Sequence, residues 1–119
     1  QICKQYETGG LVQKALDGVS LTLRENEFVA VLGPSGSGKT TLLNILAALD
    51  RPTEGEVLLN GQNIVRIPER TLAAFRREHL GFVFQDFNLL DTLTARENIA
   101  LFFAQRQHLP AVSSLRHEI

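Results

Sequence analysis

The sequence predicts an α/β domain that opens with a small antiparallel β-layer. Three consecutive stretches indicate this class: an apolar run at 28–32, a glycine-rich loop at 33–40, and an apolar helical pattern at 41–49. A continuous apolar run is typical of a strand buried on both faces of a sheet. A glycine-rich loop between such a strand and a helix is the usual setting of a phosphate-binding loop. The order of the three stretches therefore predicts a phosphate-binding core.

The glycine-rich loop matches the pattern G-x-x-x-x-G-K-[ST] at every fixed position. It reads Gly33-Pro34-Ser35-Gly36-Ser37-Gly38-Lys39-Thr40 and is followed by Thr41. Its glycines allow the backbone to turn N–H groups toward a polyphosphate, and the helix behind it directs its positive dipole end to the same place. In this motif Lys39 reaches the β- and γ-phosphates, and the Thr40 hydroxyl binds Mg²⁺. The loop thus predicts a P-loop NTPase core.

Composition and charge indicate an ordinary globular domain. The 119 residues are 44% hydrophobic and 21% charged, with a net charge of −1, which does not favour non-specific binding to nucleic acid or to a membrane surface. The single cysteine, Cys3, excludes an internal disulfide and fits a reducing cytosol. No apolar run approaches the ~20 residues that cross a bilayer. Because the chain begins at Gln1 and contains no methionine, we expect a piece of a longer protein.

The β-layer before the loop is predicted from turn signals and alternation. Residues 2–6 are a predicted strand, and residues 19–23 alternate apolar and polar side chains as a half-exposed strand does. The predicted turns are residues 7–10 and the pair Asp17-Gly18, which is a hairpin signal. Asn26 suits a left-handed backbone position just before the buried strand.

Past the first helix, the sequence predicts a further strand at 56–59 that ends in the hairpin signal Asn60-Gly61. Pro68 fits the first turn of a helix over 69–77. A second central strand is predicted over 80–84, since this run is apolar.

The last predicted helix runs from Ala95 to about Gln107. Thr94 precedes it as the cap, and Glu97 stands three residues later, which completes a capping box.

Four segments together resemble the amino-terminal half of the ATP-binding subunit of an ABC transporter: 15–21, 33–40, 49–57 and 80–85. The first three resemble the lipoprotein-release, macrolide-export and peptide-export branch. Residues 76–94 are similar to the bacitracin-type antimicrobial-peptide transporters within that branch. The resemblance extends from residue 3 to about residue 103 without a gap. It implies a truncated ABC ATPase core with an amino-terminal antiparallel β-layer.

The resemblance also implies roles for individual residues. Tyr6 stands where an aromatic ring stacks on adenine, although an ordinary strand aromatic is the alternative reading. Gln85 stands where a glutamine contacts Mg²⁺ and the attacking water, so Lys39 and Gln85 are the implied catalytic residues. Thr40 and Gln85 are the implied metal contacts, with ATP and Mg²⁺ as cofactors.

The implied partners are membrane-spanning permease subunits, contacted through the loop 85–93, and a second nucleotide-binding domain; no nucleic acid is expected. The implied location is cytoplasmic, peripheral on the inner face of the cell membrane. The implied function is to couple ATP binding and hydrolysis to export or release of a peptide, lipid-linked or drug-like substrate.

Three parts of the family pattern do not occur in residues 1–119: the serine-glycine-glycine signature, the apolar strand that ends in Asp-Glu, and the switch histidine. Asp50 and Asp91 follow leucines but belong to a helix end and a loop, so neither is predicted to be a second metal-binding aspartate. We therefore expect residues 1–119 to be the amino-terminal part of one nucleotide-binding domain, which alone binds nucleotide weakly and hydrolyses it negligibly. Two alternatives stay open: a non-catalytic truncated nucleotide-binding module, and a soluble ABC protein that acts on DNA or ribosomes.

Overall fold

The computed structural model describes residues 1–104, apart from the side chains of Phe102 and Phe103. It has two compact units, Gln1–Leu72 and a second that begins at Ala73. The elements of the first are β1 (Ile2–Thr8), β2 (Leu11–Val19), α1 (Lys39–Leu46), β3 (Leu58–Leu59), β4 (Gln62–Asn63) and a 3₁₀ turn (Ile64–Arg66). Helix α2 (Glu69–His79) begins in the first unit and ends in the second, which also contains α3 (Ala95–Ala104).

Strands β1 and β2 form an antiparallel hairpin whose register runs from Ile2 opposite Val19 to Thr8 opposite Leu11. The predicted turn at 7–10 is confirmed. Gly9 and Gly10, both with positive φ, join the strands, as a two-residue hairpin turn of type I′ has two consecutive left-handed residues.

The predicted turn at Asp17-Gly18 is wrong, since both residues lie inside β2. The Gly18 N–H donates to Cys3 Sγ at 3.3 Å, next to the irregular register around Cys3 and Lys4. A lone left-handed glycine accommodates a bulge in a strand, whereas the tight turn of a two-residue hairpin uses a pair of left-handed residues.

The hydrophobic core of the first unit is built around α1. Ile45 is only 1% exposed, and Leu42 lies one turn earlier on the same helix face. The other buried side chains come from the hairpin and from the segments after α1: Ile2, Leu16, Ala48, Val57, Ile64, Ile67 and Leu72. Backbone hydrogen bonds between Cys3 and residues 53 and 54 attach β1 to the segment that follows α1. The core therefore fixes α1 relative to the hairpin.

The strands predicted over 28–32 and 80–84 do not form among the described residues, and of the strand predicted over 19–23 only Val19 is in a strand, as the end of β2, so these predictions are wrong for this structure. Phe28 and Leu32 are 98% and 89% exposed, and Val83 is fully exposed. A buried central strand needs hydrogen-bonded neighbours on its edges and helices on its faces. Apolar sequence alone does not supply them, because strand formation depends on context more than on propensity.

Shorter-range predictions agree better with the structure. Asn60-Gly61 joins β3 to β4 as a hairpin, although β3 is shorter than the strand predicted at 56–59. Asn26 has a φ of +60°, as expected for its turn. Pro68 accepts hydrogen bonds from the N–H groups of residues 71 and 72 at the start of α2, which extends two residues beyond its predicted end to His79.

The capping box before α3 is confirmed. The Thr94 N–H and hydroxyl both donate to Glu97 Oε2 at 2.8 Å, and the Glu97 N–H donates to Thr94 Oγ1 at 3.3 Å. The Thr94 N–H and hydroxyl lower the pKa of Glu97, because they stabilise its charged form. Helix α3 is described as far as Ala104, and its predicted end near Gln107 lies outside the described residues. Among residues 1–104, no helix has both the length and the apolar character needed to cross a membrane.

Candidate nucleotide-binding site

The glycine-rich loop leads directly into α1. Within it, the Ser37 N–H donates to the Pro34 carbonyl at 3.2 Å, which closes a turn. Gly36 has a φ of +78° and Gly38 a φ of +92°. Lys39 is the first residue of α1. The predicted succession of loop and helix is confirmed, while the segment before the loop is not a strand.

Gly38 allows the end of the loop to pack closely against the hairpin. A Cβ atom at this position would lie 2.5 Å from the Ala15 carbonyl oxygen and 3.1 Å from a methyl group of Leu16, both on β2. Because Gly38 also has a left-handed backbone, only glycine fits without strain. The first turn of α1 and strand β2 are thereby in direct contact, so the hairpin borders the loop.

The amino terminus of α1 offers unsatisfied donors. The first N–H groups of a helix have no acceptor within it, and among the described residues no side chain caps Gly38 and no acidic residue stands in the first turn. Thr40 is exposed and Thr41 partly buried. Backbone donors at a positive helix end fit a polyphosphate, and an exposed hydroxyl is the hard oxygen ligand that Mg²⁺ accepts. The residues present therefore fit a magnesium–nucleotide complex.

The Lys39 side chain folds back into the loop. Its ammonium donates to the Gly33 carbonyl at 2.6 Å, to the Pro34 carbonyl at 2.7 Å and to Ser37 Oγ at 3.3 Å. All three acceptors are neutral. A phosphate oxygen is a stronger acceptor for an ammonium, because the hydrogen bond is then assisted by both charges. Lys39 thus lies at the loop, where it can exchange loop carbonyls for phosphate oxygens.

Tyr6 lies on β1, opposite Gln13 of β2, and the residue is 40% exposed. Its hydroxyl donates to Asp50 Oδ2 at 2.9 Å. The Lys4 ammonium lies 4.9 Å from the centroid of the ring. Because β2 contacts Gly38, the hairpin that carries Tyr6 is also the one that borders the loop.

Lys4 and Asp50 are residues of this region to which the sequence assigns no role at the site. Lys4 Nζ donates to Asp50 Oδ1 at 2.8 Å and to the Arg51 carbonyl at 2.7 Å. Partial burial alone would raise the pKa of Asp50, but the hydrogen bonds from Lys4, Tyr6 and the Arg51 N–H outweigh it, so the pKa is lowered. Lys4 and Asp50 are 46 positions apart, and no local pattern could have paired them.

Gln85 begins a turn over residues 85–88 in the second unit, where it is exposed. Phe87 and Asn88 in the same turn both have positive φ. The phosphate loop belongs to the first unit, so the predicted joint contact of Gln85 and Thr40 with Mg²⁺ stays a prediction. In the part of the chain that the structure describes, no three His, Cys, Asp or Glu side chains are grouped to hold a metal ion.

Residues 16–118 match the model of the family described as ABC transporter. The chain belongs to this family. The match includes the phosphate loop and Gln85, and it confirms the predicted family.

Several ABC transporter proteins share about half of their aligned residues with this chain. The ATP-binding protein YxdL of Bacillus subtilis is 54% identical over 93% of this chain and 43% of its own length. The bacitracin export protein BceA of Halalkalibacterium halodurans is 48% identical over 84% of this chain and 40% of its own. The macrolide export protein MacB of Hyphomonas neptunium is 49% identical over 84% of this chain and 16% of its own length. The chain spans less than half the length of these ABC relatives.

A solved ABC structure confirms the predicted fold class. The ATP-binding cassette MJ0796, in a dimeric post-hydrolysis state bound to ADP and Pi, superposes with a TM-score of 0.88 and is 42% identical. The superposition covers 97% of this chain and 50% of the cassette. The fold is therefore that of an ABC ATPase, even though segments 28–32 and 80–84 of this chain are not paired as strands.

Proposed function

We propose that the protein is the ATP-binding component of an ABC export system, and that it couples ATP binding and hydrolysis to export or release of a peptide, lipid-linked or drug-like substrate. One observation carries the proposal: in a chain of this family, the Lys39 ammonium lies inside a glycine loop that ends at an uncapped helix terminus. Positive charge and free N–H donors converge there, as a polyphosphate requires.

Each predicted site residue receives a role in this proposal. Lys39 exchanges its loop carbonyls for the β- and γ-phosphates, and the N–H groups of the loop, residues 33–41, surround the same oxygens. The Thr40 hydroxyl and the Gln85 amide oxygen hold Mg²⁺, which neutralises phosphate charge when it is bound. Gln85 also orients the attacking water, and Tyr6 stacks on adenine through an exposed ring face.

The proposed partners are permease subunits and a second nucleotide-binding domain, with the protein on the cytoplasmic face of the cell membrane. The loop 85–93 suits a protein contact, because Phe87 and Leu89 are 75% and 69% exposed there and such apolar patches mark interaction sites. BceA and MacB are named as export proteins, and the MJ0796 cassette is dimeric. These relatives support the proposal that the protein works in an exporter and pairs with a second nucleotide-binding domain.

The proposal is tested by the dependence of ATP binding on Mg²⁺, followed by calorimetric titration of ATP with Mg²⁺ or with a chelator. We expect the metal to strengthen binding by at least about tenfold, since even a hydrogen bond to a charged group contributes about 1.5–3 kcal/mol and Mg²⁺ neutralises phosphate charge directly. Thr40→Val should reduce this gain, since it removes one of the two proposed protein ligands, while it leaves metal-free binding intact.

Thr22→Val is the matched control, because Thr22 is exposed and lies outside the loop; it should keep the full gain. Equal binding with and without Mg²⁺ in the unaltered protein, or an unchanged gain in Thr40→Val, would contradict the proposed metal role. Failure of the unaltered protein to bind ATP at all would overturn the proposed function.

A further inference from the structure

We infer that Lys4 and Asp50 are positioning residues, which hold the Tyr6 ring so that one of its faces is kept free for the base of a nucleotide. The inference rests on the proposed function, since it needs Tyr6 to stack on adenine. It adds two residues that the phosphate-loop pattern does not include. These two residues affect binding of the base, whereas the loop binds the phosphates.

The first step is that the Tyr6 ring is held at its outer end. Its hydroxyl donates to Asp50 Oδ2 at 2.9 Å, while the other carboxylate oxygen accepts from Lys4 Nζ at 2.8 Å. Asp50 follows α1, whereas Tyr6 lies on β1. The carboxylate thus ties the ring to a second segment of the core, and rotation of the ring away from this position would break the bond.

The second step is that one face of the ring is already occupied. The Lys4 ammonium lies 4.9 Å from the centroid of the Tyr6 ring, within the range of a cation–π interaction. Lys4 is itself fixed, because it also donates to the Arg51 carbonyl at 2.7 Å and its side chain is only 13% exposed. A planar base therefore has the opposite face of the ring to stack on.

The third step is that this ring stands beside the phosphate loop. Lys4 pairs with Leu16 across the hairpin and Tyr6 pairs with Gln13, while Ala15 and Leu16 contact the Gly38 position. Lys4 is therefore level with the contact to Gly38, and Tyr6 lies two residues, or ~7 Å, further along β1. A nucleotide whose phosphates lie in the loop can extend its base along the hairpin toward Tyr6.

Fixing the ring beforehand should strengthen binding. A side chain that is immobilised only when the ligand arrives weakens affinity by about two- to tenfold. Lys4 and Asp50 remove that loss for Tyr6. Their effect should appear with ligands that carry a base and be absent with ligands that carry phosphates alone.

The test compares two ligands, Mg·ATP and Mg·tripolyphosphate, by calorimetric titration of the purified protein. Tyr6→Phe keeps the ring but removes the bond to Asp50, and Lys4→Gln removes the cation from the covered face. Both should weaken ATP binding by about two- to tenfold and leave tripolyphosphate binding unchanged. Lys14→Gln is the matched control, because Lys14 is an exposed lysine of the same hairpin, paired with Asp17 at 3.4 Å; it should change neither affinity.

The outcomes separate the two proposals. If Tyr6→Phe and Lys4→Gln leave ATP affinity unchanged, or weaken both ligands equally, the positioning role is overturned while ATP binding at the loop stands. If Tyr6→Ala leaves ATP affinity unchanged, the stacking role and the positioning role fail together. If the unaltered protein binds neither ligand, the proposed function fails and this inference with it.

Discussion

Lys39→Ala is expected to weaken Mg·ATP binding by about 100-fold, because it removes the only ammonium that the structure places in the loop among residues 1–104. A hydrogen bond to a charged group contributes about 1.5–3 kcal/mol. Lys39 reaches two phosphates in the proposed complex, but it gives up its bonds to the Gly33 and Pro34 carbonyls to do so, so the net loss corresponds to about one such bond. Tripolyphosphate binding should fall by a similar factor, since the interaction does not involve the base. Calorimetric titration measures both affinities.

Lys14→Ala is the control for this change. It also removes one positive charge, but from an exposed side chain of β2 that is paired with Asp17 at 3.4 Å, so its effect on a phosphate in the loop is screened by solvent and by its own partner. We expect it to alter ATP affinity by less than about twofold. Equal losses in Lys39→Ala and Lys14→Ala would mean that net charge, and not the loop, determines binding.

Gly38→Ala is expected to destabilise the first unit by about 2–5 kcal/mol. A non-glycine residue at a φ of +92° is strained by about 1–2 kcal/mol. The added methyl group would also lie 2.5 Å from the Ala15 carbonyl, and such overpacking typically costs a further 1–3 kcal/mol. Urea denaturation followed by circular dichroism measures the loss in the free energy of unfolding.

Gly36→Ala separates the two causes. Gly36 has a similar φ of +78°, but a methyl group there would meet nothing within 4 Å. This variant should therefore show the backbone strain alone, about 1–2 kcal/mol. If the two variants are equally stable, the close approach of β2 to position 38 does not contribute to the loss of stability in Gly38→Ala.

Features whose signals lie within a few residues were predictable from the sequence. The phosphate loop, the Asn60-Gly61 hairpin and the Thr94–Glu97 capping box depend on contacts between near neighbours, and the structure contains all three. Their geometry follows from backbone preferences and one or two local hydrogen bonds. The family resemblance extended these local features to a whole fold class.

Features that depend on distant partners were not predictable. The apolar runs at 28–32 and 80–84 would be buried strands only with neighbours on each side, and the described residues do not provide that pairing. Asp17-Gly18 has a hairpin signal, but pairing of β2 with β1 places both residues inside a strand. The contact of Lys4 with Asp50 joins positions with no shared local pattern. In each case tertiary pairing, and not local sequence, decides the structure.

The central claim is that nucleotide phosphates bind in the glycine loop at the start of α1. Its most direct test is to record amide ¹H–¹⁵N chemical shifts while Mg·ATP, and separately adenosine, is added to the protein. We predict that the N–H signals of Gly36, Gly38 and Thr40 move with Mg·ATP and stay in place with adenosine. Movement that is confined to residues outside 33–41, or that is the same with adenosine, would contradict the claim.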